Sequence, residues 1–348
     1  MDSELVSVVI PAFNAEAFLT DSISSVINQT HRPLELLVVN DGSTDGTVEL
    51  VSRFQRDSGG VKVEIIDIGA NRGAAKALHE GFGKARGRYI CWLSADDAFS
   101  ETDKVSRQYA RMRAAKADWS YYRNFVQGPS LSDSLLSCPS YLPRLRPLDF
   151  LFSDPKLRLA CLMFRNPING SSIMIKRDCI EAHGQFDPSL RNVDADGDLW
   201  MRYSALGLKC LALDGSPVFY RIHGSQTSKS KEKMSIGQQL SRIRIMRIMA
   251  KSGMLKGVFE RFTALLPLAL RRKDHLFLPK STQYLCNYLL DSSVRANPFL
   301  QRQARKLLKD VELQMRQMPY DSSYFENELV KISDTPQIRS FELQLLGE

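Results

Sequence analysis

The sequence predicts an α/β protein with a parallel sheet covered on both faces, followed by an α-helical C-terminal region. In the first half, apolar runs without polar alternation are separated by segments of helical spacing, which is typical of strands buried in a parallel sheet. From about residue 231 onward, the apolar spacing is helical. The 348 residues suit one large domain or two ordinary ones, and we predict two, at 1–230 and 231–348.

Each strand predicted in the first hundred residues is a short apolar run that ends near a turn signal. These strands are predicted at 5–10, 34–39, 61–66 and 89–93, and the helices at 14–28, from the turn at 40–43 to about 57, and at 73–85. Pro11 is expected to end the first strand, because proline cannot donate to a ladder. Asn14 is expected to cap the first helix, since its side-chain oxygen can accept from the first turn.

The middle of the chain is less regular. Residues 125–170 hold six prolines and are predicted to be rich in loops. Beyond the loops, strands are predicted at 171–175, 208–213 and 218–222, and helices at 177–183 and 198–206. In the C-terminal region, Asn297-Pro298 is typical of a helix start, and that helix is predicted to reach Met318.

Missing motifs exclude several function classes. No G-x-G-x-x-G fingerprint, Walker loop or G-x-S-x-G elbow occurs, which argues against a dehydrogenase, a P-loop enzyme and a hydrolase. No apolar run approaches the roughly 18–20 residues that span a bilayer. The acidic start runs straight into a strand pattern, so no cleaved signal peptide is expected. The six cysteines form no C-x-x-C pair, and we expect reduced thiols as in a cytoplasmic protein.

The formal net charge of +8 is concentrated in one segment. Residues 1–230 hold 27 basic and 27 acidic residues, whereas residues 231–316 hold 18 basic and 6 acidic ones. Residues 317–348 hold 2 basic and 6 acidic residues. A neutral first part and a basic second part indicate two regions with different roles.

Carboxylates follow two of the predicted strands, at the sheet edge where ligands bind in parallel folds. Asp41 comes after the second strand, and Asp96 and Asp97 come after the fourth. Such clusters hold hard divalent cations, with substrate phosphates completing the shell. Asp41 could instead accept from an N–H of a ligand base, or serve only the turn. Charges as close as those of Asp96 and Asp97 repel unless a cation or donor is present.

Four segments stand out together by their order and spacing. They are 6–14 (VSVVIPAFN), 39–47 (VNDGSTDGT), 71–73 (NRG) and 93–97 (LSADD). Together they resemble the family 2 glycosyltransferases, over about residues 5–225. The resemblance implies the GT-A fold, which is a Rossmann-like, mixed but mostly parallel sheet with helices on both faces.

The resemblance also implies a site for a nucleotide-sugar donor. The loop expected to flank the nucleotide base consists of Pro11, Ala12, Phe13 and Asn14. Asp41 would bind the base, commonly uracil or thymine, through its N–H. Arg72 would lie near the base or the diphosphate, and Asp96 would contact the ribose or the metal shell.

A divalent metal, Mg²⁺ or Mn²⁺, is implied as the cofactor. Asp97 would coordinate it, because Ser94 stands where many relatives have a further Asp. His223 follows a predicted strand and would ligate the metal or a phosphate oxygen, with a purely structural role as the alternative. Arg221 is a weaker phosphate candidate.

The resemblance places the catalytic base in the segment 194–202 (DADGDLWMR). Asp196 aligns with the base that takes the proton of the acceptor hydroxyl, while Ala195 replaces the usual Glu. Asp194 is the runner-up, and a helix cap is the structural alternative for Asp196. Asn169 and Gly170 would border the sugar and acceptor. Trp200 could stack on an acceptor sugar or belong to the core.

The expected function is therefore the metal-dependent, inverting transfer of one sugar from a UDP- or dTDP-sugar to a glycan or lipid-linked acceptor in surface polysaccharide assembly. The processive polymerases of the family carry transmembrane helices and a Gln-x-x-Arg-Trp motif, and both are missing. A non-catalytic nucleotide-sugar-binding scaffold of the same fold is the alternative. A nucleotidyltransferase is disfavoured, because no Gly-rich phosphate loop follows the first strand.

The basic segment 231–316 mixes cationic and apolar residues. Basic amphipathic helices suit an anionic membrane surface, which would make the protein peripheral on the inner face of the cell membrane. Helices that pack on the catalytic domain, or on a second subunit of a homo-oligomer, explain the apolar residues equally well. No nucleic-acid-binding module is visible, so nucleic acid is not expected as a partner.

Overall fold

The computed structural model describes residues 3–139, 153–192, 194–226, 230–264, 266–267, 270, 273, 278–316 and 322–347. The chain forms two compact units. The first unit comprises the described residues within 1–153, 167–192 and 208–229, and the second those within 154–166, 193–207 and 230–348. The second unit thus includes two segments, 154–166 and 193–207, that lie inside the first domain predicted from the sequence.

The first unit contains a seven-stranded mixed sheet. Its strands are β1 (Val6–Ala12), β2 (Leu34–Asn40), β3 (Lys62–Asp67), β4 (Tyr89–Trp92), β6 (Trp119–Tyr122), β9 (Met174–Lys176) and β10 (Cys210–Leu213). Their spatial order is β10-β6-β9-β4-β1-β2-β3, and only β9 runs antiparallel to its two neighbours. The described helices of this unit are α1 (Glu16–Ile27), α2 (Thr47–Arg56), α3 (Ala74–Lys84), α4 (Lys104–Ala115) and α6 (Arg177–His183). This alternation confirms the predicted fold class.

A smaller four-stranded sheet lies in the same unit. Its strands are β5 (Ala98–Phe99), β7 (Phe125–Gly128), β8 (Leu135–Ser137) and β11 (Val218–Arg221), in the order β5-β11-β7-β8. Strand β5 begins directly after Asp97, and β11 ends two residues before His223. Pairing of β5 with β11 therefore links these two predicted site segments.

Two local predictions at the first strand are wrong. Strand β1 continues through Pro11, which is in register with Val39 of β2. Strand β4 pairs with β1 only from Val6 to Val9, so the missing N–H of Pro11 falls where that ladder has already ended. Asn14 does not cap α1, because it takes a left-handed conformation with φ of 48° and the helix begins at Glu16.

The core of the first unit forms around the apolar strands, as the continuous apolar runs predict. Val6, Val8, Ile10, Leu36 and Val38 are fully buried in β1 and β2. All six cysteines lie among the described residues, and none is in a disulfide, which confirms the expected free thiols.

The second unit is helical in its described residues. Its helices are α5 (Pro155–Leu162), α7 (Ala195–Ala205), α8 (Lys231–Lys251), α9 (Met254–Arg261), α10 (Pro279–Leu290), α11 (Pro298–Met315), α12 (Ser322–Ser333) and α13 (Pro336–Leu346). Asn297 caps α11 by accepting from the N–H of Leu300, as predicted, whereas the predicted end at residue 318 lies outside the described residues. None of the described helices is long and apolar enough to cross a membrane.

Buried ion pairs join α7 to α8 within the second unit. The Asp194 carboxylate accepts from Nη1 of Arg242 at 3.0 Å. The Asp198 carboxylate is bound by Arg202 at 2.9 Å and by Arg244 at 2.7 Å, and all three side chains are fully buried. Some cations of the basic segment are therefore internal and cannot contact a membrane or a partner.

Candidate active site

The loops that follow β1 and β2 are tied together by side-chain hydrogen bonds. Oδ1 of Asn14 accepts from the N–H of Thr44 at 2.8 Å, and the N–H of Asn14 donates to Oγ of Ser43 at 3.0 Å. Phe13, the neighbour of Asn14, is 46% exposed. Asn14 thus shapes the loop, while Phe13 presents an aromatic face suited to stacking on a nucleotide base.

Asp41 lies at the end of β2 and holds the loop before α3. Its Oδ1 accepts from the N–H of Arg72 at 2.7 Å and its Oδ2 from the N–H of Gly73 at 2.8 Å. Gly73 has a φ of 94°, a conformation that favours glycine. The Asp41 side chain is buried and Arg72 is exposed. Asp41 therefore positions the 71–73 loop. Each of its oxygens keeps a further lone pair, which could accept from the nucleotide base of a sugar donor.

Asp97 is buried at 2% exposure, with both carboxylate oxygens bonded to the protein. Oδ2 accepts from Oγ of Ser171 at 2.5 Å, and Oδ1 from the N–H of Arg221 at 3.2 Å. Burial, together with the neighbouring Asp96 charge, raises the pKa of the Asp97 carboxyl well above its usual range. Asp97 thus ties three segments of the first unit together.

Asp96 presents its carboxylate to His223. Oδ2 of Asp96 lies 2.9 Å from Nε2 of His223, and Nδ1 of His223 lies 2.9 Å from Oγ of Ser225. The Asp96 and His223 side chains are 30% and 17% exposed, so both remain accessible. The pairing brings together two residues that are far apart in sequence and that were both expected at the donor site.

The Arg221 side chain is bound to other groups of the protein. Its guanidinium donates to Oδ2 of Asp21 at 2.6 Å and to the carbonyl of Asp96 at 3.0 Å, and it lies over the ring of Phe18. These contacts argue against Arg221 as a phosphate ligand and give it a role in holding the 96–97 turn.

Asp96 and His223 provide some, but not all, of the ligand atoms that a divalent cation needs. A carboxylate oxygen and an imidazole nitrogen lie side by side. Asp97, the residue predicted to coordinate the metal, is buried with both carboxylate oxygens bonded within the protein, so its role as a ligand stays a prediction. Among the described residues, no group of three His, Cys, Asp or Glu side chains could hold a metal by itself. A cation here would need substrate phosphates and water to complete its shell, as Mg²⁺ commonly does.

Asn169 and Gly170 build a turn beside Trp92. Oδ1 of Asn169 accepts from the N–H of Ser171 at 2.8 Å, which places the Ser171 hydroxyl that holds Asp97. The ring of Trp92 packs so closely on Gly170 that an added Cβ would lie 2.1 Å from its Cζ3. Both residues thus have structural roles, and their contact with a sugar stays a prediction.

Gly170→Ala is expected to lower the free energy of unfolding by about 1–3 kcal/mol, because the methyl group overpacks the Trp92 ring. Urea unfolding followed by tryptophan fluorescence measures this. Gly224→Ala is the matched control, since nothing lies within 4 Å of a Cβ at that position. Equal stability of the Gly170→Ala variant and the wild type would contradict the packing described.

The candidate base lies in the second unit, in the first turn of α7. Oδ2 of Asp196 accepts from Nδ2 of Asn166 at 3.0 Å, and its side chain is partly exposed. Burial and the neighbouring Asp194 charge raise the pKa of the Asp196 carboxyl to about 6. A carboxylate with a pKa near neutrality and some access to solvent has the properties of a general base.

Asp194 and Trp200 are less suited to the roles considered for them. Asp194 is 4% exposed and its Oδ2 is occupied by Arg242 and the hydroxyl of Ser241. Trp200 is fully buried, so the prediction that it stacks on an acceptor sugar is wrong and its core alternative holds. The first turn of α7 therefore offers Asp196 rather than Asp194 to an acceptor.

Two residues that hold the candidate site carboxylates were not predicted from the sequence. Asn166 holds Asp196, and Ser171 holds Asp97. Asn166 lies in the proline-rich stretch without any pattern, and nothing in its spacing points to Asp196. Ser171 directly follows Asn169 and Gly170, which the sequence analysis assigns to the sugar and not to the carboxylates.

Known proteins resemble this chain in both sequence and fold. A family model described as "Glycosyl transferase family 2" matches residues 7–137. An uncharacterized glycosyltransferase of Haemophilus influenzae is 29% identical over 260 residues, covering 72% of this chain and 76% of that protein. The Escherichia coli protein WfaP, described as UDP-Glc:alpha-D-GlcNAc-diphosphoundecaprenol beta-1,3-glucosyltransferase, is 26% identical over 68% of this chain and 84% of its own length.

Solved structures share the fold. Residues 1–349 of S. aureus TarS in complex with UDP-GlcNAc give a TM-score of 0.58 at 16% identity, covering 90% of this chain and 92% of that one. The mannosyltransferase PcManGT from Pyrobaculum calidifontis, in complex with GDP-Man and Mn²⁺, gives 0.57 at 14% identity, with coverages of 99% and 86%. The fold is thus of the GT-A type. Residues 7–137 thus match the family 2 glycosyltransferases, and the names of the relatives support a transferase enzyme.

Proposed function

We propose that the enzyme transfers one sugar from a UDP- or dTDP-sugar to a hydroxyl of a glycan or lipid-linked acceptor, with inversion and with a divalent metal, Mg²⁺ or Mn²⁺. The observation that carries the proposal is Asp196, a partly exposed carboxylate held by Asn166 with a pKa of about 6. We propose surface glycan assembly as its setting and the cytoplasm, or the inner face of the membrane, as its location.

The relatives support the substrate classes. WfaP is described as using UDP-Glc and a diphosphoundecaprenol-linked acceptor, and a Bacillus subtilis relative is described as a putative teichuronic acid biosynthesis glycosyltransferase. TarS has been solved with UDP-GlcNAc. These donors and acceptors favour a uridine nucleotide and a lipid-linked glycan for this chain as well.

The chemistry assigns separate tasks to the chain's residues. Asp196 takes the proton of the acceptor hydroxyl as its oxygen bonds to the anomeric carbon. The bond from that carbon to the diphosphate oxygen breaks, and the nucleoside diphosphate leaves with the electron pair. Asp96 and His223 would hold the cation, which neutralises charge on the leaving diphosphate. Phe13 stacks on the base, and Asp41 keeps the 71–73 loop in place.

A screen of nucleotide sugars for nucleoside diphosphate release, with Mn²⁺ or Mg²⁺ and with a chelator, tests this proposal. Release with a UDP- or dTDP-sugar that needs both metal and acceptor supports it. Metal-dependent release should fall sharply in Asp96→Ala. No release from any donor would favour the alternative, a nucleotide-sugar-binding scaffold without turnover.

The pH profile of kcat/KM is expected to fall below about pH 6, because the base must be unprotonated and burial raises its pKa to about 6. Asp194, which directly precedes α7 and pairs with Arg242 on α8, is the charged neighbour that raises this pKa. Removing the Asp194 charge removes one cause of the raised pKa. Asp194→Asn should therefore shift the acid limb to lower pH, and an unchanged limb would argue that another group titrates.

A further inference from the structure

One face of helix α11 carries an unusual line of exposed side chains. The residues at three- and four-residue steps along it are Phe299, Arg302, Lys306, Lys309, Leu313 and Arg316, which we name the α11 stripe. Phe299 is 47% and Leu313 65% exposed, and the four cations between and after them are exposed as well. Arg305 lies exposed beside the stripe. Such spacing places all six side chains along one face of the helix.

The opposite face of α11 explains why the stripe points outward. Leu300, Ala304, Leu307 and Val311 are fully buried. They lie on the side of α11 that packs against α10 within the second unit. The position of α11 is therefore fixed by its own apolar face, and Phe299 and Leu313 are not needed for that packing.

The cations of the α11 stripe form no ion pairs among the described residues, and they outnumber the exposed acids of the same helix, Asp310 and Glu312. Within the described part of the chain, no ion pair involves Arg302, Arg305, Lys306, Lys309 or Arg316. Exposed cations on α8 behave differently, because Arg247 pairs with Glu326 and Lys251 pairs with Glu342. The stripe is thus a local excess of exposed, unpaired cations with an apolar side chain toward each end.

We propose that the α11 stripe docks the enzyme on an anionic phospholipid surface. The cations contact lipid phosphates, while Phe299 and Leu313, which are 14 residues or about 21 Å apart along the helix, enter the boundary between headgroups and acyl chains. These two apolar side chains favour a bilayer over a nucleic acid, whose backbone offers them no apolar partner. The inference rests on the membrane location given under the proposed function, for which it names the contact surface, and it does not depend on the identity of the donor or acceptor.

Vesicle co-sedimentation of the full chain tests the proposal. Phosphatidylcholine vesicles containing phosphatidylglycerol should bind the wild type, and pure phosphatidylcholine vesicles should not. The triple variant Arg302→Glu, Lys306→Glu, Lys309→Glu should bind at least ~100-fold more weakly. The matched control is Arg53→Glu, Lys84→Glu, Arg111→Glu, which makes the same charge change at exposed positions of the first unit and should bind nearly as wild type.

A second pair of variants separates lipid from other anions. Phe299→Ser with Leu313→Ser should weaken binding to the anionic vesicles about tenfold or more and leave binding to duplex DNA unchanged. Circular dichroism melting identifies any variant that fails to fold, and for such a variant the glutamates are replaced by glutamines. The proposal would be overturned if the wild type does not bind the anionic vesicles, or if the control triple variant weakens binding as much as the stripe variant does. It would also be overturned if replacing Phe299 and Leu313 leaves vesicle binding unchanged.

Discussion

Asp196→Asn is expected to lower sugar transfer by about 10²–10⁴-fold, the usual contribution of a general base. The amide keeps the size of the side chain, and its oxygen can still accept from Asn166. Donor binding should therefore be unchanged, because the substitution leaves Phe13, Asp41, Asp96 and the first unit as they are. Nucleoside diphosphate release with saturating acceptor, together with calorimetric binding of the donor, measures both.

Asp194→Asn is the matched control. Asp194 is buried against Arg242, so its neutralisation should lower the free energy of unfolding and change the pH profile, while the folded variant should keep most of its transfer activity at pH 8. Near-normal transfer by Asp196→Asn, or an equal loss in Asp194→Asn, would contradict the assignment of the base.

The stability of Asp196→Asn provides an independent check. Because the pKa of Asp196 is raised in the folded state, the wild type loses stability as pH rises from the unfolded-state pKa, about 4, through about 6. The Asn variant lacks this loss. The Tm of the Asn variant minus the Tm of the wild type should therefore be larger at pH 7–8 than at pH 4.

Asp198→Ala is expected to have the largest effect on folding, with a loss of about 3–5 kcal/mol in the free energy of unfolding. The substitution leaves Arg202 and Arg244 fully buried with their shared carboxylate gone. The remaining charges lie in an apolar interior, where an unpaired ion is far more costly than the pair. Urea unfolding monitored by circular dichroism gives the free energy directly.

Arg247→Ala is the matched control for that experiment. Arg247 also bonds a carboxylate, that of Glu326, but both side chains are exposed, so the expected loss is only about 0–1 kcal/mol. A loss for Asp198→Ala no greater than that of the control would contradict the buried network.

Local sequence patterns predict the fold of this chain well. The apolar runs predict strands at 5–10 and 34–39, and the structure has them at Val6–Ala12 and Leu34–Asn40, because strands buried on both faces need such runs. Asn297-Pro298 identified the start of α11 for an equally local reason. The sequence also predicts that Asp41, Asp96 and Asp97 follow strands at the sheet edge, since a carboxylate directly after an apolar run is visible in the sequence.

Contacts between distant segments were not predictable in the same way. The bonds of Asp97 to Ser171 and Arg221 join residues 74 and 124 positions apart, and no periodicity encodes them. The same holds for Asp194 and Arg242. Net charge was also misleading by itself, because it does not separate buried Arg242 and Arg244 from the exposed cations of the α11 stripe.

The anomeric configuration of the product tests the central claim most directly. If Asp196 activates the acceptor hydroxyl for direct attack on the donor sugar, the new linkage must have the configuration opposite to that of the donor. Proton NMR of the product formed by the wild type with its identified donor reads this from the anomeric coupling. An inverted product is predicted, and a product that retains the donor configuration would contradict single displacement with Asp196 as the base.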